Sequence, residues 1–253
     1  MAETAPILEV ARVSKRFGGL AALEEVSFAV RDGEIFGIIG PNGAGKSVLI
    51  NLISGFYAAN GGSIRLYGQE LLGLPLHGIG RLGVARTFQN VRVLKRLTVL
   101  ENVMTADQVH VRRPLRSLLA FGAQRREAER AMRFIDLMGL TPRVDQLAGT
   151  LPYGQARRLE IARALATEPK LLLLDEPAAG MNEEETIELV EDIKKARAMV
   201  RAMVLIEHDM SLIEALADRV LGLDFGRIIC EGDPATVLAN PELQRAYLGE
   251  DDE

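Results

Sequence analysis

Residues 35–53 read IFGIIGPNGAGKSVLINLI, and the fold turns on them. Ile35–Ile39 is a nearly continuous apolar run, the pattern of a strand buried on both faces of a parallel sheet. Val48, Leu49, Leu52 and Ile53 recur at helical spacing within a helix expected over Ser47–Gly55, which gives one apolar face to pack on that sheet. Between them, GPNGAGKS at Gly40–Ser47 matches GxxxxGK[ST] in the strand–turn–helix context that this motif requires. Its glycines let successive backbone N–H groups converge on phosphate oxygens. The helix starting near Gly45 adds unpaired N–H groups and a positive dipole end. Lys46 is expected to reach the β and γ phosphates, and the Ser47 hydroxyl to bind Mg²⁺. The candidate nucleotide-binding set is Gly40, Pro41, Asn42, Gly43, Ala44, Gly45, Lys46, Ser47 and Val48. Val48 has no hydroxyl to offer a phosphate.

Downstream, LLLLDEP at Leu171–Pro177 places Asp175 and Glu176 at the end of a second buried strand. Ligands of open α/β sheets sit at the carboxyl ends of strands. One acid can serve the metal shell (Asp175) and the other the attacking water (Glu176). His208 ends a further apolar strand in VLIEHD, where an imidazole can orient a γ phosphate or the water. Gln89, in TFQN, is a neutral side chain able to reach both metal and water.

Flanking elements fill in the architecture. Ile7–Val13, Leu23–Val30, Gly61–Tyr67 and Val204–Ile206 read as strands, and SKRFGG at Ser14–Gly19 as a turn. Val220–Leu223 and Ile228–Cys230 read as a hairpin around Phe225-Gly226. The region from about Thr98 to Ala166 is helical in pattern, with helices expected over Arg116–Met138 and Arg157–Ala166. Further helices are expected over Met181–Ala198 and Ser211–Ala217. Because Lys46 and Asp175 belong to one site, the helical stretch 98–166 is an insertion in a single domain over 7–250, followed by an acidic tail at 251–253.

Composition narrows the class. The chain has 253 residues, 48% of them hydrophobic, ample for one core. Thirty Lys and Arg against thirty-five Asp and Glu give a net charge of -5, which excludes a strongly basic nucleic-acid module and leaves nucleic acid out of the expected partners. The single cysteine, Cys230, excludes an intrachain disulfide framework. No apolar run approaches the ~20 residues of a membrane span, and the start MAETAPILEV lacks the basic segment of a secretory signal. A soluble, intracellular chain is expected.

With these residues placed, the chain resembles the ATP-binding subunit of an ABC transporter, and within that family the ATPase of branched-chain amino acid importers. The likeness runs from about Ile7 to Leu248. It is carried most specifically by LPYGQARRLEIARAL at Leu151–Leu165, and also by ARTFQN, DEPAAGMN and RAYLGE. It implies a P-loop, RecA-like α/β core with an antiparallel β subdomain and an inserted helical subdomain. It implies Phe17 as the aromatic stacking on adenine, Gly40–Ser47 as the Walker A loop, Gln89 as the Q-loop glutamine and Asp175 as the Walker B aspartate. Glu176 would be the catalytic base and His208 the switch histidine. Ala179, Gly180, Met181 and Asn182 would form the D-loop. Leu151, Pro152, Tyr153, Gly154 and Gln155 would form a signature acting in trans on ATP bound to a second ATPase subunit, in a homo- or heterodimer.

The implied cofactors are ATP and Mg²⁺. The implied partners are transmembrane permeases and, indirectly, a solute-binding protein, with the chain docked at the cytoplasmic side of the inner membrane. An ATPase of lipopolysaccharide export and a soluble cluster-assembly ATPase remain alternatives on the same motifs. Two departures from the family pattern stand out. Pro152 replaces the signature serine and so lacks both N–H and hydroxyl, and Val48 stands where Ser or Thr is usual. Pro152 implies that the site completed by this chain in its partner is weakened. The basic residues Arg92, Lys95, Arg96, Arg112, Arg113, Arg116, Arg125 and Arg126 form either a solvated face or a contact with membrane or permease.

Overall fold

A computed structural model describes residues 6–107 and 121–248. In chain order the strands are β1 (Leu8–Phe17), β2 (Leu20–Val30), β3 (Ile35–Ile39), β4 (Gly61–Leu66), β5 (Gln69–Glu70), β6 (Val84–Arg86), β7 (Leu171–Asp175), β8 (Ala202–Ile206), β9 (Arg219–Asp224) and β10 (Arg227–Gly232). The helices are α1 (Lys46–Ile53), α2 (Leu76–Leu82), α3 (Val99–Asp107), α4 (Phe121–Leu137), α5 (Tyr153–Ala166), α6 (Glu183–Arg197), α7 (Met210–Leu216), α8 (Pro234–Leu238) and α9 (Pro241–Leu248).

Two sheets form. One is antiparallel in the order β2-β1-β4-β5. The other runs β10-β9-β3-β8-β7-β6, parallel except for the β9–β10 hairpin. The apolar runs explain the larger sheet. Every residue of β3, β7 and β8 is buried, because alternate side chains enter different cores. Phe36, Ile38, Leu171, Leu173, Val204 and Ile206 join a core with the antiparallel sheet and α1. Ile35, Ile39, Leu172, Leu174, Met203 and Leu205 join a core with residues of α3–α9. Helices α3, α4 and α5 lie in sequence between β6 and β7 and pack on one another through Val103, Ile135 and Leu159.

The expected strands and the hairpin around Phe225-Gly226 are present, and among the described residues the middle of the chain forms α3, α4 and α5. Several boundaries move. Ser14–Phe17 is not a turn. It continues β1, since Lys15, Arg16 and Phe17 pair with Leu23, Ala21 and Leu20, and the reversal is confined to Gly18-Gly19. The helix expected from Met181 starts at Glu183. Asn182 caps it, with Oδ1 accepting the Glu185 N–H at 2.9 Å while a Glu185 carboxyl oxygen accepts the Asn182 N–H at 3.2 Å, a reciprocal capping box. The helix expected from Arg157 starts four residues earlier, at Tyr153 with Pro152 as N-cap. There a missing N–H costs the helix nothing. Residues 116–120 of the expected Arg116–Met138 helix, Arg112, Arg113 and the tail 251–253 lie outside the described residues.

Leu173 is fully buried in β7 between β6 and β8. Leu173→Ala is expected to cost about 2–5 kcal/mol, read as a lower midpoint in urea denaturation with unchanged slope.

Candidate nucleotide site

The parallel register brings the candidate residues to one edge. Ile206 pairs with Ile38 on one side and with Asp175 on the other. Gly40, Glu176 and His208, each one or two residues further on, therefore leave the sheet together. The chain reverses tightly at Gly40 and Glu176. Gly40 has φ 149°, and a Cβ there would sit 2.1 Å from the Leu223 carbonyl oxygen, so only glycine fits. Glu176 is left-handed at φ 46°, a strained state for a residue with a Cβ. Its N–H is held by the Ile206 carbonyl at 2.9 Å.

Gly45 caps α1 in the left-handed region at φ 103°, and the first intrahelical bond runs from the Leu49 N–H to the Gly45 carbonyl. By helix geometry the first N–H groups of α1 precede that bond, the arrangement that an anion site at a helix end uses. The side chain of Lys46 is buried and folds back over the loop, its Nζ donating to the carbonyls of Gly40 and of Pro41, the latter at 2.8 Å. Ser47 is exposed, whereas Val48 packs against the core, which accounts physically for an apolar residue where a hydroxyl is usual.

A cavity of about 360 Å³ opens over this loop, lined by Phe17, Leu20–Ala22, Asn42–Val48, Glu176 and Phe225. Its size suits a small organic ligand. Phe17 is half-exposed at the end of β1. Tyr57 meets its ring nearly at right angles, with centroids 5.3 Å apart, and Lys15 Nζ lies 4.8 Å from its centre.

Gln89, Asp175 and His208 are not among the residues that line this cavity, but Gln89 and Asp175 are tied to it through Glu176, by a hydrogen bond and by chain adjacency. Gln89 donates from Nε2 to Glu176 Oε2 at 2.7 Å. Asp175 is buried, and its Oδ2 is 2.8 Å from Arg86 Nη2. Arg86 also donates to Asn51 Oδ1 at 2.6 Å and Ser54 Oγ at 3.0 Å. His208 is exposed, with Nδ1 3.7 Å from a carboxyl oxygen of buried Glu207. The predicted signature, Leu151–Gln155, does not line the cavity. Tyr153–Gln155 form the start of α5, with Pro152 as N-cap, and by helix geometry their N–H groups precede the first intrahelical bond, Ala156 N–H to Pro152 carbonyl at 2.9 Å. Gly154 packs on Glu185, and Gly180 of the predicted D-loop packs on the Tyr153 ring.

Four residues that sequence reasoning missed organise the site. Arg86 is the counter-ion of Asp175. Arg157, fully buried, donates to the carbonyls of Phe88 and of Gln89 (2.5 Å), to Tyr153 Oη (3.2 Å) and to Glu160 (3.0 Å). Glu160 in turn accepts the N–H groups of Phe88 at 3.3 Å and Arg92 at 3.2 Å. Burial pushes the Glu160 carboxyl above its ordinary value, against the pull of Arg157. Glu207 accepts the N–H groups of Ala178 (3.0 Å) and His208 (3.2 Å), and burial raises its pKa too. The only sequence signal for these residues is charge inside otherwise apolar runs, as in VLIEHD.

Fold and site together define a P-loop nucleotide-binding ATPase. A family model described as "ABC transporter" matches residues 23–179, and one described as "Branched-chain amino acid ATP-binding cassette transporter" matches residues 227–253. The chain is 45% identical over 251 residues to the high-affinity branched-chain amino acid transport ATP-binding protein BraF of Pseudomonas aeruginosa, covering 97% of this chain and 98% of that one. It is 43% identical over 251 residues to LivG of Escherichia coli, which carries the same description, with the same coverage. The solved ADP form of MJ1267, an ATP-binding cassette of an ABC transporter, superposes with a TM-score of 0.86 at 32% identity, covering 97% of this chain and 100% of that chain. This chain belongs to the ATP-binding subunits of ABC transporters, in the branch of the branched-chain amino acid transport ATP-binding proteins. Membership makes it an ATP-binding and ATP-hydrolysing transport subunit. No helix among the described residues is long and apolar enough to cross a membrane.

Breaking a buried ion pair from one side costs about 3–5 kcal/mol. Arg157→Ala is therefore expected to destabilise the chain by about that amount in urea denaturation. The raised Glu207 pKa has a defined sign. The folded state holds this proton more tightly than the unfolded chain, so the contribution of Glu207 to stability falls as pH climbs through and above the ordinary carboxylate range, ~4.3. Glu207→Gln removes that titration. The difference in melting temperature between variant and parent should shift in favour of the variant as pH rises from about 4 to 7.

Proposed function

We propose that this chain powers the import of branched-chain or related amino acids, docked on permease subunits at the cytoplasmic side of the membrane. A second ATPase subunit completes its site, and an external solute-binding protein chooses the cargo. The reading rests on one arrangement: the phosphate loop, the exposed Phe17 ring and Glu176 share a single cavity, with Gln89 bonded to Glu176. Residues 7–250 act as one nucleotide-binding domain, with 98–166 as its helical insertion.

Phe17 takes the adenine face, while the loop N–H groups and Lys46 take the phosphates. Lys46 must first leave the Gly40 and Pro41 carbonyls. Ser47, Asp175 and Gln89 would hold Mg²⁺. When bound, the ion neutralises charge developing on the transferred phosphoryl group. Glu176 Oε2 accepts the proton of the attacking water, and Gln89 and His208 orient that water. The N–H groups at the start of α5, with Leu151–Gln155, face the ATP of the partner subunit. Ala179–Asn182 lies between the two sites through the Gly180–Tyr153 contact. The capping role of Asn182 makes that loop a rigid lead into α6.

Glu176→Gln should leave ATP binding intact and lower hydrolysis by about 10²- to 10⁴-fold. Uptake of labelled leucine by the reconstituted transporter should fall with it. Retained hydrolysis would remove Glu176 from the role of base. Pro152→Ser restores a hydroxyl and an N–H at the signature position. One hydrogen bond to a charged group is worth roughly 1.5–3 kcal/mol, so the ATPase rate of the assembled complex should rise, by up to about 10- to 150-fold if that step limits turnover. No gain would show that Pro152 does not weaken the partner site.

A further inference from the structure

Helix α9 reaches the nucleotide site from behind. Leu243 is fully buried over β9, its side chain 3.3 Å from the point where a Cβ on Gly222 would sit. Gly222 is the ladder partner of Ile39 in β3. Tyr247 follows Leu243 by four residues and so stands one helical turn further along the same face. That turn carries its hydroxyl past the end of the β3–β9 ladder to the next residue of the phosphate loop. The Gly40 N–H donates to Tyr247 Oη at 2.8 Å.

This bond falls where the loop has least freedom. Gly40 lies beyond the last β3–β9 and β3–β8 pairs, so no strand supplies an acceptor for its N–H. It is pressed against the Leu223 carbonyl oxygen, and its own carbonyl receives Lys46 Nζ. The other end of the loop is pinned by the β9–β10 hairpin, where the Gly226 N–H donates to the Ala44 carbonyl at 3.0 Å. The loop is thus clamped at both ends by the segment between Arg219 and Leu248, and at its entrance the clamp is one phenolic oxygen.

We propose that Tyr247 is a positioning residue of the nucleotide site: its hydroxyl holds the first peptide of the phosphate loop in the shape that binds a nucleoside triphosphate, so the seating of α9 sets nucleotide affinity. Its ring packs against the core that contains Leu243 and so anchors the helix. The hydroxyl does the positioning. The proposal rests on ATP binding at Gly40–Ser47 and is independent of which solute is carried.

Tyr247→Phe separates the two roles, since it keeps the ring and removes the oxygen. Equilibrium titration of the full-length chain with a fluorescent ATP analogue should show Kd raised roughly 2- to 10-fold, the loss of one hydrogen bond. Steady-state hydrolysis should show KM raised in proportion, with kcat unchanged. Gln244→Ala removes a bond from α9 to the Leu238 carbonyl, on the same helix but away from the loop, and should leave Kd as it was. An unchanged Kd in a Tyr247→Phe chain with a normal thermal melt would overturn the proposal. So would an equal rise in Kd in Gln244→Ala, which would assign the effect to helix packing. A total loss of ATP binding by the unaltered chain would instead overturn the nucleotide site itself.

Discussion

The structure depends on the pairing of β8 with both β3 and β7. Ile206 is the shared register point, opposite Ile38 in one ladder and Asp175 in the other. A slip of one residue in either ladder would turn alternate side chains toward the wrong core. It would also part the phosphate loop from Glu176. Burial on both faces holds the register: Phe36, Leu173 and Val204 are committed to one core, Ile35, Leu172 and Met203 to the other. Because parallel strands end at one edge, Gly40, Glu176 and His208 emerge side by side.

A second layer of control is polar and buried. Arg157 spans the backbone of the Gln89 loop and the Tyr153 hydroxyl, and Glu160 holds the N–H groups on the other side of that loop. A guanidinium suits this task because its fork of donors can serve several carbonyls at once. The result joins the helix that starts at the predicted signature to the loop whose glutamine touches Glu176. Arg86 does comparable work on the opposite side, between Asn51, Ser54 and Asp175 and against the rings of Phe56 and Phe88. Glu207 joins the backbone after Glu176 to that of His208. These charges are costly to bury and are kept where loops must hold one shape.

Much of this was legible in residue order. The apolar runs at Ile35–Ile39 and Leu171–Leu174 announced buried strands, and the glycines of GPNGAGKS announced a turn that needs unusual backbone angles. Less local features were not legible. The strand β6 is three residues long and exists only because Val84–Arg86 pairs with β7. Ser14–Phe17 carries turn-like composition, yet cross-strand pairing extends it as β structure. Helix α9 shows no sign in its sequence that Tyr247 meets the phosphate loop, 207 positions away.

The sequence by itself determined most of the elements, the family and the candidate chemistry: a turn with the phosphate-loop pattern, adjacent acids at a strand end and a predicted signature before a helix. Local backbone geometry and hydrophobic period act over a few residues, so they can be read along the chain. The tertiary structure alone decided which charges pair, as Arg86 with Asp175 and Arg157 with Glu160, and which distant groups hold the loops. Those contacts follow from sheet order and helix packing, which bring together residues that nothing in the local sequence connects.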